Sequence, residues 1–489
     1  MPAVFVIAVT IRKFVAADGY GSYVSVGAIC LIVLLVGIGI VPILNGYADA
    51  FCLLPISILF YTAFERRFRI FNRTDAVVTS VCLLTVALGR RYYLYFLVGF
   101  VASVVFVNTF DILSRKIRGV DAKKEFFGFV RNMLTIGGIC LFCLCTIFSG
   151  FTKMSLFGNY SDAYQAYGLG SVARNLINTL KMCGVLPCVF AVIGIFALLI
   201  MKKYYVLSFL SLSSVLGGVL FSTVQTTGQQ HLYILYFQLA ALDAAGAFGI
   251  VVLMSKIGLA LETRFSTVDR GVFVKSALLR RGIMSRVGVS LAALAMSFNF
   301  LCVTILGDTS FAGFWTDSRA ECKIRNDMET LNELTDYLYE NVVGGRTIYC
   351  LGSGEVFNFD VLNKLSMPNK SKIADNLLSV PQVDLRDGFS ASFLYADFIV
   401  TESPCELHLG ESNQRVVSVL NRAVMGKSSL NDNLRKGDSF ILDKGIVVTV
   451  WERISPYDAA DLAYLVGEFD KYYADRPDLF RNRILAETK

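Results

Sequence analysis

The chain has 489 residues, of which 55% are hydrophobic and only 17% are charged. Soluble domains carry about 25% charged residues, so this chain has too few charged side chains to cover a water-exposed surface. That excludes a soluble globular enzyme, a disordered regulator and a secreted disulfide scaffold, and it predicts a membrane protein.

Charge divides the chain into two parts. Residues 1–307 contain 26 Lys and Arg against 11 Asp and Glu, a net charge of +15, whereas residues 308–489 contain 20 against 28, a net charge of −8. We therefore expect a transmembrane bundle over 1–307 and an α/β domain over 308–489. The basic side chains form short clusters between apolar runs, which is typical of membrane topology and not of a nucleic-acid-binding surface.

The N-terminal residues 3–11 form an apolar run that is too short to span a membrane and is followed by Arg12 and Lys13. In a signal peptide the charge precedes the apolar run, so that interpretation is excluded. The segment is typical of the last two turns of a helix, and we expect upstream residues of the bundle to be missing. The alternative is an N-terminal stub packed at the membrane surface.

Nine apolar runs approach the length of about 20 residues that a membrane-spanning helix needs. They predict a polytopic α-helical bundle of about nine spans. The two shortest runs are expected to be sheltered inside the bundle. The nine runs are 24–45, 50–64, 75–89, 93–110, 130–149, 182–201, 206–224, 232–255 and 287–307, the two shortest being 50–64 and 75–89.

Basic clusters in every second loop set the orientation, because Lys and Arg are retained on the cytoplasmic side. The alternate loops and everything after residue 307 then face outward. This predicts a multi-pass protein of the cytoplasmic membrane with an extracytoplasmic C-terminal α/β domain. The cytoplasmic clusters are Arg12-Lys13, Arg66-Arg67-Arg69-Arg73, Arg115-Lys116-Arg118-Lys123-Lys124, Lys202-Lys203 and 256–286.

One outward loop breaks this rule, because Arg90 and Arg91 lie between two apolar runs. Ionisable groups at membrane depth are costly and tend to line functional cavities. The planar guanidinium of Arg suits phosphate, to which it donates paired hydrogen bonds. The adjacent Tyr92 suits a lipid chain or the membrane interface. The alternative is that the apolar runs pair differently and the loop is cytoplasmic.

Two further outward features are candidate site residues. Asp49 is predicted at a helix start, where its carboxylate caps free N–H groups or, alternatively, acts as a base or metal ligand at the mouth of a cavity. Gln230 and His231 belong to a polar outward turn. A single His is more often structural than catalytic, but its position beside the other outward features favours substrate binding.

The outward loop 159–167 alternates aromatic and polar residues, among them Tyr160 and Asp162. Rings that stack on a sugar and carboxylates that bind its hydroxyls are typical of a carbohydrate-binding surface. A loop that rests on lipid headgroups has the same composition, so both interpretations stay open.

The C-terminal part predicts an α/β domain with a helix at 325–342 and a helical tail at 457–486. Asp443-Lys444-Gly445 is a good hairpin turn between the last two strands. Gly352-Ser353-Gly354 predicts a tight strand-to-helix turn, and the charged loop Asp384-Leu385-Arg386-Asp387-Gly388-Phe389 predicts structural ion pairing before a buried strand. The predicted strands are 347–351, 398–400, 440–442 and 446–451.

Together these features resemble the multi-pass glycosyltransferases of the GT-C superfamily, the bacterial relatives of protein mannosyltransferases and aminoarabinose transferases. The resemblance covers most of the chain, although each motif is short. It is carried by Gly46-Tyr47-Ala48-Asp49, Leu88-Gly89-Arg90-Arg91-Tyr92-Tyr93, Asn159-Tyr160-Ser161-Asp162, Gln229-Gln230-His231 and Arg386-Asp387-Gly388-Phe389.

The resemblance implies transfer of a sugar from a polyprenyl-phosphate carrier to an envelope glycan, lipid or protein at the outer face. Arg90 and Arg91 would hold the lipid phosphate and stabilise its negative charge as it leaves. Tyr92 would border the carrier. Asp49 would be the catalytic carboxylate that takes the acceptor proton. The residues assigned to substrate binding are Tyr160, Asp162, Gln230 and His231.

This sequence departs from the family pattern at its start, where the first span and the first outward loop with the main catalytic carboxylate are not found. If Met1 is the true start, the resemblance implies a relative without activity. The runner-up interpretation is therefore a non-catalytic membrane protein that binds a glycan or lipid carrier, and a transporter is third.

Cofactors are only partly constrained by the sequence. The chain has only His231 and His408, which excludes a multi-histidine metal site, and we predict no metal ligands and no nucleotide cofactor. Whether a divalent metal takes part in the reaction stays open.

Overall fold

The computed structural model divides into two compact units. We call Met1–Gly158 with Gly168–Lys323 the membrane unit, and Asn159–Tyr167 with Ile324–Lys489 the C-terminal unit. The residues described are 2–15, 29, 48–157, 164–168, 170–265, scattered positions between 290 and 298, 325–342, 344–366 and 370–486.

The membrane unit is helical wherever it is described, apart from short turns. Its helices are α1 (Pro2–Phe14), α2 (Leu53–Arg66), α3 (Arg73–Gly89), α4 (Tyr93–Ile117), α5 (Lys123–Cys145), α6 (Ser149–Phe157), α7 (Val172–Cys183), α8 (Val185–Ile200), α9 (Tyr204–Ser222) and α10 (Tyr233–Phe265).

Four described helices are long and apolar enough to cross a membrane: α4, α5, α9 and the segment Gln230–Ile250. A fifth span results if α7 and α8, which are bent by 98° at Gly184, count as one. The protein is thus a membrane protein, but the predicted count of nine spans is not confirmed. The run 24–45 lies almost wholly outside the described residues, and 287–307 is described only at scattered positions.

The short helix α2 is sheltered, as predicted for the run 50–64. Phe60 is fully buried and stacks on Phe237 of α10 with ring centroids 4.0 Å apart. Phe100 and Phe209 meet it edge-on at 5.3 and 5.8 Å. Edge-to-face and offset aromatic pairs stabilise a core beyond their buried area. Helix α3 is only half sheltered, because one of its faces exposes Val77, Val78 and Val81.

Glycines bring the long helices together. A β-carbon on Gly194 of α8 would lie 2.0 Å from the carbonyl oxygen of Leu242, and one on Gly246 of α10 would lie 2.2 Å from that of Phe190. Lipid tails give apolar side chains no reason to leave them, so membrane helices associate through close backbone packing at small residues. Larger residues at these two positions would push α8 and α10 apart.

The basic loops meet at one end of the membrane unit, which we call the basic end. Lys13 pairs with Glu65 at 2.7 Å. The Nζ of Lys203 donates to the carbonyl oxygen of Phe14 at 3.1 Å. These contacts join clusters that the sequence predicts to share one side of the membrane.

Arg69 completes the basic end. Its side chain is 4% exposed and pairs with Asp111 at 2.7 Å and Glu125 at 2.9 Å. Its Nε also donates to Asn108 Oδ1 at 3.2 Å. Since Asn108 and Asp111 lie on α4 and Glu125 begins α5, one guanidinium ties the turn after α2 to both helices.

The C-terminal unit contains a five-stranded sheet in the order β2-β1-β3-β5-β4. Strands β2, β1 and β3 are parallel, and β5 and β4 continue the sheet antiparallel. The elements are α11 (Met328–Asn341), β1 (Ile348–Cys350), α12 (Phe359–Ser366), α13 (Ser371–Asn376), β2 (Leu377–Ser379), α14 (Asp384–Asp387), α15 (Ser392–Tyr395), β3 (Phe398–Ser403), α16 (Arg415–Met425), α17 (Ser429–Asp432), β4 (Leu434–Ile441), β5 (Val447–Arg453), α18 (Ala459–Tyr473) and α19 (Arg481–Leu485).

The four predicted strands are confirmed, with β4 longer than expected, and the short β2 was missed. The hairpin turn is also confirmed, with Lys444 at φ 58° between β4 and β5. Arg386 and Asp387 form the predicted ion pair at 2.6 Å. The preceding Asp384 is buried and accepts hydrogen bonds from the backbone N–H of Arg415 and Val416 at the start of α16.

The Arg69 network generates the first prediction. Arg69→Met removes the cation shared by two carboxylates, so we expect the membrane unit to lose about 2 kcal/mol of stability. The expected result is a thermal midpoint several degrees lower in detergent. Arg73→Met, which removes an exposed cation at the start of α3, is the matched control and should unfold like the wild type. Equal midpoints for all three proteins would contradict the prediction.

Candidate functional site

The break between α3 and α4 lies at the end of the membrane unit opposite the basic end. Helix α3 begins at Arg73, beside the basic loops, and runs 17 residues, about 26 Å, to Gly89. Helix α4 then returns from Tyr93 to Ile117. We call the end that carries Arg90 and Arg91 the arginine end. The two arginines therefore lie at the other end of α3 from the basic loops.

Tyr92 brings the break into contact with the polar turn before α10. Its hydroxyl donates to the carbonyl oxygen of Gln230 at 3.2 Å, and its ring meets that of His231 edge-on at 4.9 Å. The Nδ1 of His231 accepts a hydrogen bond from the backbone N–H of Gly228 at 2.9 Å, which puts the proton of a neutral ring on Nε2. Two features predicted separately, the arginine break with Tyr92 and the polar turn with Gln230 and His231, therefore form one cluster.

The short helical turn Ala48–Cys52, which contains Asp49, packs against the other side of the break. A β-carbon on Gly89 would lie 2.4 Å from Cys52 Sγ and 2.8 Å from the ring of Phe51. Only glycine permits this approach. The backbone of Asp49 is thus two residues from the contact with the arginine break, while the Asp49 side chain lies outside the described atoms.

Helix α7 adds polar groups that the sequence interpretation missed. Asn178 Nδ2 donates to Thr226 Oγ1 at 2.8 Å, and the hydroxyls of Thr179 and Thr227 lie 2.5 Å apart. Asn175 Nδ2 donates to the carbonyl oxygen of Ser222 at 2.8 Å. The signal was present in the sequence, because polar residues at 175, 178 and 179 share one face of a helix.

The predicted sugar-binding loop is only partly described. Tyr160 and Asp162 lie outside the described residues. Gln165–Tyr167 forms a short helical turn in the C-terminal unit, and the Tyr167 side chain is half-buried.

A second polar cluster lies in the C-terminal unit, at the carboxyl ends of the parallel strands. Ser353 follows β1, and its Oγ lies 2.8 Å from His408 Nδ1 and 3.0 Å from Gln382 Oε1. Gln414 Nε2 donates to the same hydroxyl at 2.9 Å. Partial burial lowers the pKa of His408, which keeps its ring neutral near pH 7.

Glu402, at the end of β3, lies beneath this cluster and is fully buried. Its Oε1 accepts from the backbone N–H of Ser353 at 3.4 Å and of Glu406 at 3.2 Å, whereas Oε2 has no hydrogen-bond partner. Burial raises the pKa of Glu402 to about 8. A protonated carboxylic acid is the form that a dry environment favours.

Ligands of open α/β sheets bind outside the carboxyl ends of the parallel strands, which is where Ser353 and Glu402 lie. A serine beside a histidine is also the arrangement used in nucleophilic catalysis. Ser353 is only 3% exposed, however, and its hydroxyl is shared among three side chains. The hydrogen bonds of Ser353 therefore hold the strand ends together. The predicted tight turn at Gly352-Ser353-Gly354 supplies the serine of this cluster.

Comparison with known proteins identifies no relative: no protein-family model, no curated protein and no solved structure matches the chain. Within the described ranges, no group of three His, Cys, Asp or Glu side chains is arranged to hold a metal ion. The arginine end is the place where Tyr92 meets Gln230 and His231, and it is the candidate functional site.

The raised pKa of Glu402 generates the second prediction. In the folded protein Glu402 keeps its proton up to about pH 8, whereas in the unfolded chain it loses the proton near its ordinary pKa of about 4.5. The folded state binds more protons between these values, so its stability falls as pH rises from about 5 to 8 and levels off above. Glu402→Gln stays neutral and should lose this part of the pH dependence.

Thermal unfolding of the full chain in detergent measures this effect, with Trp451 of β5 as the reporter. The chain has two Trp residues, so Trp315→Phe leaves Trp451 as the single fluorophore. On that background, the midpoint of Glu402→Gln relative to the parent should rise from pH 5 to pH 8.5. Glu411→Gln, an exposed carboxylate, is the control and should track the parent. A constant difference across the pH range would show that Glu402 does not titrate this way.

Proposed function

We propose that the protein is a membrane glycosyltransferase that moves a sugar from a polyprenyl-phosphate carrier to an envelope glycan, lipid or protein at the outer face. The observation that carries the proposal is the contact of Tyr92 with Gln230 and His231, beside Arg90 and Arg91. With the basic end on the cytoplasmic side, the arginine end faces outward.

The arginine end suits a lipid-linked phosphate. Arg90 is exposed and Arg91 is half-buried, and both precede the N-terminus of α4, where the helix dipole also favours negative charge. The apolar helix that follows would lie along the polyprenyl chain. Fixed cations at the phosphate stabilise the charge that develops there as the bond to the sugar breaks.

The acceptor would approach from the side of the Ala48–Cys52 turn and the Gly228–His231 turn. In this mechanism Asp49 takes the proton of the acceptor hydroxyl as its oxygen forms a bond to the sugar carbon. The bond between that carbon and the phosphate oxygen breaks, and the electron pair goes to the phosphate held by Arg90 and Arg91. Gln230 and His231 would bind the hydroxyls of the sugar or acceptor.

The second candidate function is a non-catalytic protein that binds the lipid carrier or a glycan. It is favoured by the geometry of His231, because Nδ1 is taken up by the backbone of Gly228 in its own turn. In this tautomer Nε2–H is a hydrogen-bond donor, which suits binding of an oxygen of the ligand. Both functions require the same phosphate contacts and differ only in the chemical step.

Arg90→Gln and Arg91→Gln test the phosphate contacts and are the third prediction. Losing a charge-assisted hydrogen bond to phosphate weakens binding by about 10- to 100-fold. We expect that loss in the binding of a long-chain polyprenyl phosphate to the full chain in nanodiscs, measured by native mass spectrometry. Arg174→Gln removes an exposed cation from α7, whose polar face contacts the turn before α10, and should bind like the wild type.

Transfer of a labelled hexose from its polyprenyl-phosphate donor to membrane acceptors separates the two functions. The glycosyltransferase predicts transfer by the wild type, reduced in step with binding in both Arg variants and lost in Asp49→Asn, which should still bind the carrier. Carrier binding without transfer from any donor would favour the non-catalytic protein. Wild-type binding by both Arg variants would refute the phosphate site itself.

A further inference from the structure

A groove with a cavity of about 800 Å³ lies between α4 and α9, on the half of these helices nearest the basic end. One wall is a single face of α4, because Phe106, Phe110, Ser114 and Arg118 follow each other at intervals of four residues. The other wall belongs to α9 and extends from Tyr204 to Val215. All of these residues belong to the membrane unit.

Helix packing explains the groove. The two helices touch at Gly99, where a β-carbon would lie 2.8 Å from the backbone nitrogen of Gly217. Beyond that crossing, Phe100 of α4 packs against Phe209 of α9 with ring centroids 5.4 Å apart, and larger side chains line the groove. The groove runs along α4 from Val107 to Arg118, which is about 16 Å at 1.5 Å per residue. That is about half of the ~30 Å hydrocarbon core, and therefore the depth of one leaflet.

The two ends of the groove differ in polarity. Phe106, Phe110 and Val215 are 63%, 75% and 58% exposed and make the deep part apolar. At the shallow end Arg118 is exposed, with its Nε donating to the carbonyl oxygen of Ser114 at 3.1 Å. This contact lays the arginine stem along the helix at the groove's entrance.

One carboxylate, Asp111, also lines the groove and would repel an anion. It is compensated, because Arg69 pairs with it at 2.7 Å and Arg67 at 3.6 Å. The guanidinium of Arg67 also stacks on the ring of Tyr205, another lining residue, at 4.4 Å. The charged groups at the shallow end therefore sum to a net positive charge.

We propose that this groove binds one anionic phospholipid from the leaflet at the basic end, with its phosphate at Arg118 and one acyl chain along Phe106, Phe110 and Val215. The charge and the depth of the groove both select this occupant. A free phosphate would leave the apolar wall uncovered, and a zwitterionic lipid would gain little from the positive end. Juxtamembrane basic residues attract anionic lipid by about 1 kcal/mol each.

The lipid site is separate from the proposed carrier site, because the two lie at opposite ends of α4. It is nevertheless connected to it through the helices. Helix α4 begins one residue after Tyr92, and α9 ends at Ser222, beside the Gln225–His231 turn.

Native mass spectrometry of the full chain with added phosphatidylglycerol or phosphatidylcholine tests the proposal. The wild type should retain one phosphatidylglycerol more tightly than phosphatidylcholine. Arg118→Gln should weaken phosphatidylglycerol retention about 5-fold. Val215→Trp, which fills the groove, should weaken both lipids. Neither change should alter binding of polyprenyl phosphate at Arg90 and Arg91.

Two matched controls make the result specific. Lys116→Gln removes an exposed cation two residues from Arg118 that does not line the groove, and Val98→Trp adds the same bulk at a position 57% exposed on α4 outside it. Both should retain lipid like the wild type. If Arg118→Gln and Lys116→Gln weaken phosphatidylglycerol retention equally, surface charge alone explains the retention and the proposed site is overturned. Equal retention of the two lipids by the wild type would overturn the selection of an anionic headgroup. Unchanged lipid retention in Val215→Trp would overturn the groove as the binding site.

Discussion

The architecture of the membrane unit depends on the burial of one guanidinium. Arg69 is placed where the chain turns between α2 and α3, and its pairs with Asp111 and Glu125 fix the near ends of α4 and α5. A charged side chain in a membrane protein is stable only when it is paired or hydrated. Because the pairs of Arg69 form only when the helices are aligned in one register, the network fixes that register. Once it has formed, the length of α3 determines that Gly89 and the two arginines emerge at the opposite end.

Much of the helical framework could be predicted from the sequence, because apolar runs and basic clusters report directly on burial in lipid. The number of spans could not be predicted, because the length of an apolar run does not show whether the segment forms one straight spanning helix. The run 182–201 includes Gly184, at φ 87°, where the chain turns by 98° and the polar α7 precedes the apolar α8. The strand β2 was missed because Leu377–Ser379 offers only two apolar residues before a serine, whereas β1 lies inside the longer apolar run 347–351.

Distance along the chain limits what the sequence can say about which side chains lie together. Tyr92 and Gln230 are 138 residues apart, and they meet because α4 and α10 both begin at the arginine end. Topology alone could suggest that meeting. The burial of Glu402 could not be anticipated, because it requires knowing that β3 pairs with β1 and that the Ser353 turn covers its end. Short motifs identify residues, whereas strand order determines their environment.

Helix α4 connects the proposals for the membrane unit. Its N-terminus adjoins two arginines and an aromatic cluster, and its C-terminal half forms one wall of an amphipathic groove. Both ends are cationic and are separated by the full length of a span, about 37 Å for 25 residues. In the two proposals a single helix offers a phosphate-binding end to each leaflet, with the glycine contact to α9 between them. Gly99 fixes the distance between α4 and α9 at their crossing. This contact therefore resists any change in helix spacing at the groove, and it also limits movement of the residues around Tyr92.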